Sequence, residues 1–84
     1  MFKVTVSLTA EEVLAACLRR GLVIRLDTVV KTAPGGRHWH LAFPGIPGVL
    51  EVTDTGVEVF LKVASNRDGG WATDLARAIA RGSQ

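Results

Sequence analysis

Residues 37–43 form a run in which side chains alternate across an extended strand, and this pattern constrains the fold more than any other feature. One side of the run is apolar and the other carries both histidines of the chain: Trp39, Leu41 and Phe43 against His38, His40 and Ala42. Pro34-Gly35, just before the run, fits the central positions of a type II turn. Such a strand is typical of an antiparallel sheet with one face packed on a core and the other open to solvent.

Four further stretches have the composition of strands: residues 2–8, 22–31, 49–53 and 57–64. In the second stretch, alternation predicts that Leu26 points toward the core and Asp27 toward solvent. In the last stretch, alternation predicts four inward side chains: Val57, Val59, Leu61 and Val63.

Two helices are predicted between and after these strands. The first begins after Thr9, because Thr9 and Glu12 have the spacing of a capping box, and it ends at Gly21. The second spans residues 71–81. The chain is therefore predicted to be a single α+β domain over residues 1–84, in the order β-α-β-β-β-β-α. We expect a mainly antiparallel sheet of four to five strands with both helices on one face.

Composition excludes several classes of protein. The 84 residues carry a formal net charge of +2, and the charged residues are scattered, so charge alone is weak support for nucleic-acid binding. The single cysteine, Cys17, excludes an internal disulfide and is predicted to be a buried hydrophobe. The first residues lack the pattern of a signal peptide, and no apolar run reaches the roughly 18 residues of a membrane helix. We expect a cytoplasmic protein with no membrane association and no cofactor.

The open face of the sheet is the predicted binding surface. Alternation assigns the following side chains to it: Lys3, Thr5, Ser7, Arg25, Asp27, Lys31, His38, His40, Glu51, Thr53, Glu58, Phe60 and Lys62. Phe60 is the one aromatic residue in this set. An outward aromatic side chain suggests either a stacking platform for a base or a contact between two copies of the chain.

Two kinds of chemistry are compatible with the histidines. Imidazoles at i and i+2 of a strand lie about 6–7 Å apart on one face, so His38 and His40 could share a metal ion. Glu51 or Glu58 would be the third ligand. Alternatively, His38 could act as the general base in RNA cleavage. The phosphate would then be held by neighbouring basic residues: Arg37, Arg25 or Lys62.

From Leu18 onward the chain resembles the small HicA-type toxins. In that family, which has a double-stranded-RNA-binding-like α-β-β-β-α fold, a helix ends in glycine and a later Gly-Ser-His segment opens a strand with the catalytic histidine. This chain has Leu18-Arg19-Arg20-Gly21, a strand, and then Gly36-Arg37-His38. Arg37 replaces the family's serine, and an N-terminal strand and a hairpin are additional. The resemblance implies a ribonuclease with His38 as its catalytic base.

The sequence therefore predicts a small cytoplasmic binding module that contacts nucleic acid, such as RNA, or a protein partner through the open sheet face. A homodimer is one form of that contact. The residues predicted to bind are Arg37, His40, Arg25, Phe60 and Lys62. The alternative is a HicA-like ribonuclease in which His38 is catalytic, and a third possibility is metal binding by His38 and His40.

Overall fold

A computed structural model describes residues 1–30 and 35–82. The elements along the chain are β1 (Phe2–Val6), α1 (Ala10–Arg19), β2 (Val23–Val29), β3 (Arg37–Ala42), β4 (Leu50–Asp54), β5 (Val59–Val63), a 3₁₀ turn (Ser65–Arg67) and α2 (Ala72–Gly82). The predicted α+β class and element order are confirmed. The turn predicted at Pro34-Gly35 lies partly outside the described residues, and Lys31 lies wholly outside them.

The strands form one five-stranded sheet in the order β1-β5-β4-β3-β2. Every neighbouring pair is antiparallel. Strands β2 to β5 therefore form a meander, and β1 adds to it beside β5. This order places β1 and β2 at the two edges of the sheet.

Local signals in the sequence set the bounds of α1. The Thr9 hydroxyl accepts a hydrogen bond from the Glu12 backbone N–H, and the Glu12 carboxylate accepts one from the Thr9 N–H, which completes the predicted capping box. At the other end Gly21 has a φ of +94°, a left-handed conformation that glycine adopts without steric cost. The Leu22 N–H then donates to the Cys17 carbonyl and closes the helix.

The core lies between the helices and one face of the sheet. α1 packs on β4, and α2 packs on β1, β5 and β4. The least exposed side chains of this core include Val13, Cys17, Leu22, Leu41, Leu50, Val52, Leu61 and Val63. Trp39 is also buried, so the large apolar side of β3 faces the helices, as predicted, and the histidine side faces away from them.

The predicted inward position of Val57 is wrong. Val57 is 96% exposed, and β5 begins only at Val59. Residues 55–58 form a turn instead, because the Asp54 carboxylate accepts from the Gly56 N–H and the Thr55 hydroxyl accepts from two following N–H groups. Side chain-to-backbone bonds of this kind favour a turn over further strand pairing.

The alternation predicted for β2 is also wrong beyond Arg25. Ile24 pairs with Leu41 on the core side, but Leu26 pairs with His40 on the open side, and the register shifts between them. A β-bulge adds one residue to one strand and thereby reverses the faces of the residues that follow. Leu26 consequently lies on the open face, and Asp27, which pairs with Trp39, lies on the helix side. No helix among residues 1–30 and 35–82 is long and apolar enough to span a membrane.

Candidate functional site

Cross-strand pairing arranges the open face in two rows that run across all five strands. One row consists of Lys3, Lys62, Glu51, His40 and Leu26. The other consists of Thr5, Phe60, Thr53, His38 and Thr28. Directly paired residues on one face of an antiparallel sheet bring their side chains into contact distance. The two histidines of β3 therefore face Glu51 and Thr53 of β4.

His38, His40 and Glu51 converge on one point of this face. The Nε2 atoms of the two imidazoles are 2.9 Å apart, and Glu51 Oε1 lies 3.5 Å from Nε2 of His38 and 3.7 Å from Nε2 of His40. The rings meet edge to face, with centroids 4.9 Å apart. The Glu51 side chain is only 13% exposed. Three groups that can ligate a metal thus share one partly buried site.

Thr53 fixes the orientation of His38. Its hydroxyl lies 2.7 Å from Nδ1 of His38, and Thr53 is the one buried polar side chain in the described part of the chain. When Nδ1–H donates to this hydroxyl, Nε2 of His38 has no proton and accepts from Nε2–H of His40. This tautomer leaves a lone pair of His38 pointing into the site.

The environment of His40 favours its neutral form. Partial burial lowers the pKa of this imidazole below its usual value, and the neighbouring His38 and Arg67 act in the same direction. The Glu51 carboxylate opposes them by favouring the charged imidazolium. Because metals bind the neutral imidazole, a lowered pKa widens the pH range in which His40 can act as a ligand.

Two of the predicted binding residues do not join the histidines. Arg37 lies on the helix side of β3, where its guanidinium binds the Asp27 carboxylate and covers the Trp39 ring. Arg25 lies in the bulge of β2, the edge strand. Neither arginine contacts an imidazole, so the phosphate-binding role predicted for them has no support from their positions.

Phe60 and Lys62 lie on the same face as the histidines but on β5, two strands away, with β4 between them. Phe60 pairs with Thr53, and Lys62 pairs with Glu51. The Lys3 ammonium group sits 4.2 Å from the centre of the Phe60 ring. This cation–π contact covers part of the aromatic surface that was predicted to bind a base or a second copy.

Cys17 has no catalytic environment. It is fully buried in the core cluster, and burial raises the pKa of its thiol to about 11. The thiolate is the reactive form of cysteine, so this side chain is inert at neutral pH. The predicted packing role of Cys17 agrees with its position.

The sequence did not distinguish Glu51 from Glu58 as a partner of the histidines, and it did not single out Thr53. Glu58 is exposed in the turn before β5. Glu51 and Thr53 follow from the β3–β4 register, which pairs His40 with Glu51 and His38 with Thr53. They could have been found from the sequence by pairing the residues of β3 and β4 one by one, starting at the turn that joins the two strands.

Comparison of the chain with models of protein families, with curated proteins and with solved structures gives no match. The HicA-type resemblance therefore stays a prediction from the residues at positions 18–21 and 36–38.

Proposed function

We propose that this chain binds a divalent transition-metal ion on its open sheet face, with His38 Nε2, His40 Nε2 and Glu51 Oε1 as ligands. The observation that supports this proposal is the convergence of all three atoms within 4.8 Å of one another. They come from two paired strands in the middle of the sheet, so their backbones are held rigidly. Sites built on strands place ligands more accurately than sites on loops.

The spacing of the ligand atoms suits zinc. Two nitrogens at about 2.0–2.1 Å from a tetrahedral zinc ion are about 3.3 Å apart. The two Nε2 atoms are 2.9 Å apart, and the Glu51 oxygen is 3.5 and 3.7 Å from them. These distances lie on either side of the ideal value, so small side-chain rotations would make room for the ion. Binding would replace the hydrogen bond between the two imidazoles with two metal–nitrogen bonds, after His40 changes its tautomer.

The donor set narrows the choice of metal. Two imidazoles and one carboxylate are borderline ligands that suit Zn²⁺, Cu²⁺, Ni²⁺ or Fe²⁺ rather than Mg²⁺ or Ca²⁺. Three protein ligands also leave a coordination position for water or for a donor from a partner. The His38–Thr53 hydrogen bond is the kind of outer-shell contact that orients metal-binding imidazoles.

Calorimetric titration of Zn²⁺ into protein stripped of metal with a chelator tests the proposal. We expect saturable binding of one ion per chain. Glu51→Gln should weaken it by at least the roughly 10–100-fold loss that outer-shell changes cause. Glu58→Gln is the matched control, because Glu58 carries the same charge but is exposed in a turn. Absence of saturable binding, or equal losses in both variants, would contradict the proposal.

A second candidate is RNA cleavage with His38 as general base. It is favoured by the contact between the His38 and His40 imidazoles, since two adjacent groups that titrate near neutrality can accept and donate protons in one reaction. Lys62 and Phe60, which lie on the open face, would then contact RNA, in the cytoplasm.

Cleavage of a labelled RNA in the presence of EDTA separates the two candidates. The nuclease proposal expects cleavage that survives EDTA and disappears in His38→Asn, with Glu58→Gln as a control that stays active. Wild-type protein that leaves RNA intact would refute the nuclease proposal and would leave the metal proposal unaffected.

A further inference from the structure

Strand β2 is an exposed edge with apolar side chains on both of its faces. All seven of its residues are exposed, and β3 is the one strand paired with it in the described part of the chain. Four of the seven are large and hydrophobic, with exposures between 36% and 64%: Val23, Ile24, Leu26 and Val29. At the opposite edge, β1 is shorter and is packed by α2. Among the described residues, a helix therefore packs on one edge strand, β1, and neither helix packs extensively on the other, β2.

Edge strands that remain single in solution carry features that block pairing with another chain. These features include short length, lysine or proline residues, bulges and a covering helix or loop. β2 has neither lysine nor proline, and neither helix makes an extensive contact with it. Within residues 1–30 and 35–82, its one protective feature is the bulge at Arg25. A long apolar edge of this kind is a surface for strand addition.

The central residues of β2 can pair with the same residues of a second copy. We propose that β2 pairs antiparallel with β2 of a second copy, about a two-fold axis at Leu26, to join two sheets edge to edge. In this register Leu26 faces its own copy and Arg25 lies opposite Asp27 of the other chain. Val23 and Val29, at the mirrored positions farther out, lie on opposite faces because of the bulge, so the complementarity is confined to the centre of the strand. A two-fold interface requires such self-complementarity, because each residue meets the same patch on the partner.

The charges at the centre of β2 favour a second copy over an unrelated strand. Within the described residues, the Arg25 side chain has no hydrogen-bond or ion-pair partner. Asp27 is bound by Arg37 of its own chain. Pairing would place Arg25 of the second copy next to this carboxylate, and opposite charges directly across a sheet stabilise the pair of strands. This contact between Arg25 of one copy and Asp27 of the other would form twice, once on each side of the two-fold axis.

This interface is different from the dimer predicted from Phe60. Phe60 lies on β5, and β4 and β3 separate it from β2. The metal ligands also remain accessible, since edge-to-edge pairing extends the sheet without covering its open face. The oligomeric state is therefore independent of metal binding and can be measured with EDTA present.

Sedimentation equilibrium from micromolar to near-millimolar concentration tests the proposal. Wild-type protein should dimerise. Leu26→Lys should be monomeric, because the axis would set two lysines face to face. Val57→Lys is the matched control, since it places the same charge at another exposed hydrophobic residue, and it should dimerise like wild type. Phe60→Lys should also remain dimeric. Circular dichroism melts show whether each variant is folded.

Hydrogen exchange gives a second readout that needs no variant. Backbone amides within residues 23–29 should become more protected as the protein concentration rises, while those of β1 stay unchanged. A monomeric wild type, a dimer that survives in folded Leu26→Lys, or protection of β2 that does not depend on concentration would overturn the proposal.

Discussion

Thr53 is the residue on which the orientation of His38 depends. Thr53→Val keeps the shape of the side chain but removes the hydroxyl that bonds Nδ1 of His38. We expect zinc affinity to fall by about 10–100-fold, because the imidazole loses the contact that holds its metal-binding nitrogen in place. Thr5→Val is the control, since Thr5 lies in the same row but is exposed. Calorimetric titration that gave the same affinity for Thr53→Val and wild type would remove Thr53 from the site.

His40 should make stability depend on pH in mild acid. Its pKa is lowered by folding, so the unfolded chain takes up the proton first as the pH falls. Stability is therefore full above the normal imidazole pKa and declines as the pH falls through the lowered one. Urea unfolding of metal-free protein between about pH 7 and pH 5 should show a steeper decline for wild type than for His40→Gln. Equal slopes for the two proteins would contradict the lowered pKa.

Leu61 and Val57 separate the buried part of the last hairpin from its exposed turn. Both were predicted to point inward, but Leu61 is fully buried and Val57 is almost fully exposed. Leu61→Ala should lower the free energy of unfolding by about 2–5 kcal/mol, because it leaves a cavity in the core. Val57→Ala should change it by less than about 0.5 kcal/mol. Similar losses in denaturant unfolding would mean that Val57 is packed.

The turn after β3 packs against the loop before α2 at Gly69, and the neighbouring Gly70 faces open space. A Cβ atom at Gly69 would lie 1.9 Å from the Pro47 carbonyl oxygen, whereas one at Gly70 would meet no atom within 4 Å. Both have positive φ, 63° and 82°, so alanine would strain the backbone at either position. The indole N–H of Trp71 donates to the Pro47 carbonyl and fixes the same contact.

These two glycines form a matched pair for mutation. Gly70→Ala should cost about 1–2 kcal/mol, the penalty of a left-handed residue with a side chain. Gly69→Ala should cost about 3–5 kcal/mol, because the backbone near Pro47 must also move. The comparison is made by thermal or denaturant unfolding. Equal costs would show that the two segments do not pack at Gly69.

Most of the helices and strands could be predicted from the sequence, because the side chains within each segment determine them. The alternation of β3 identified its buried side, and the Thr9–Glu12 pair marked the start of α1. The bulge at Arg25 could not be predicted, since its neighbours are strand formers whichever way they face. Its effect was large, because one added residue reversed the faces of Leu26 and Asp27. Val57 is exposed because side chain-to-backbone hydrogen bonds hold residues 55–58 in a turn, so the alternating pattern of a strand does not apply to them.

At the scale of the whole molecule, the strand order decides which side chains meet. The sequence predicted that His38 and His40 share the open face, and their positions on β3 agree. It did not distinguish Glu51 from Glu58 as a partner, because that choice depends on the β3–β4 register. The same strand order leaves β2 as an edge and places the histidines two strands from Lys62 of β5 and three strands from Lys3 of β1. The sheet therefore carries the cluster of His38, His40 and Glu51 on its central strands and the edge strand β2 beside it.

Anomalous diffraction at the zinc absorption edge, from crystals grown with Zn²⁺, shows directly whether the open face binds a metal. We expect one strong peak among His38, His40 and Glu51, at about 2.0–2.2 Å from both Nε2 atoms and the carboxylate oxygen. Crystals of Glu58→Gln should show the same peak. Zinc bound elsewhere on the chain, with the two imidazoles still hydrogen-bonded to each other, would contradict the proposed site.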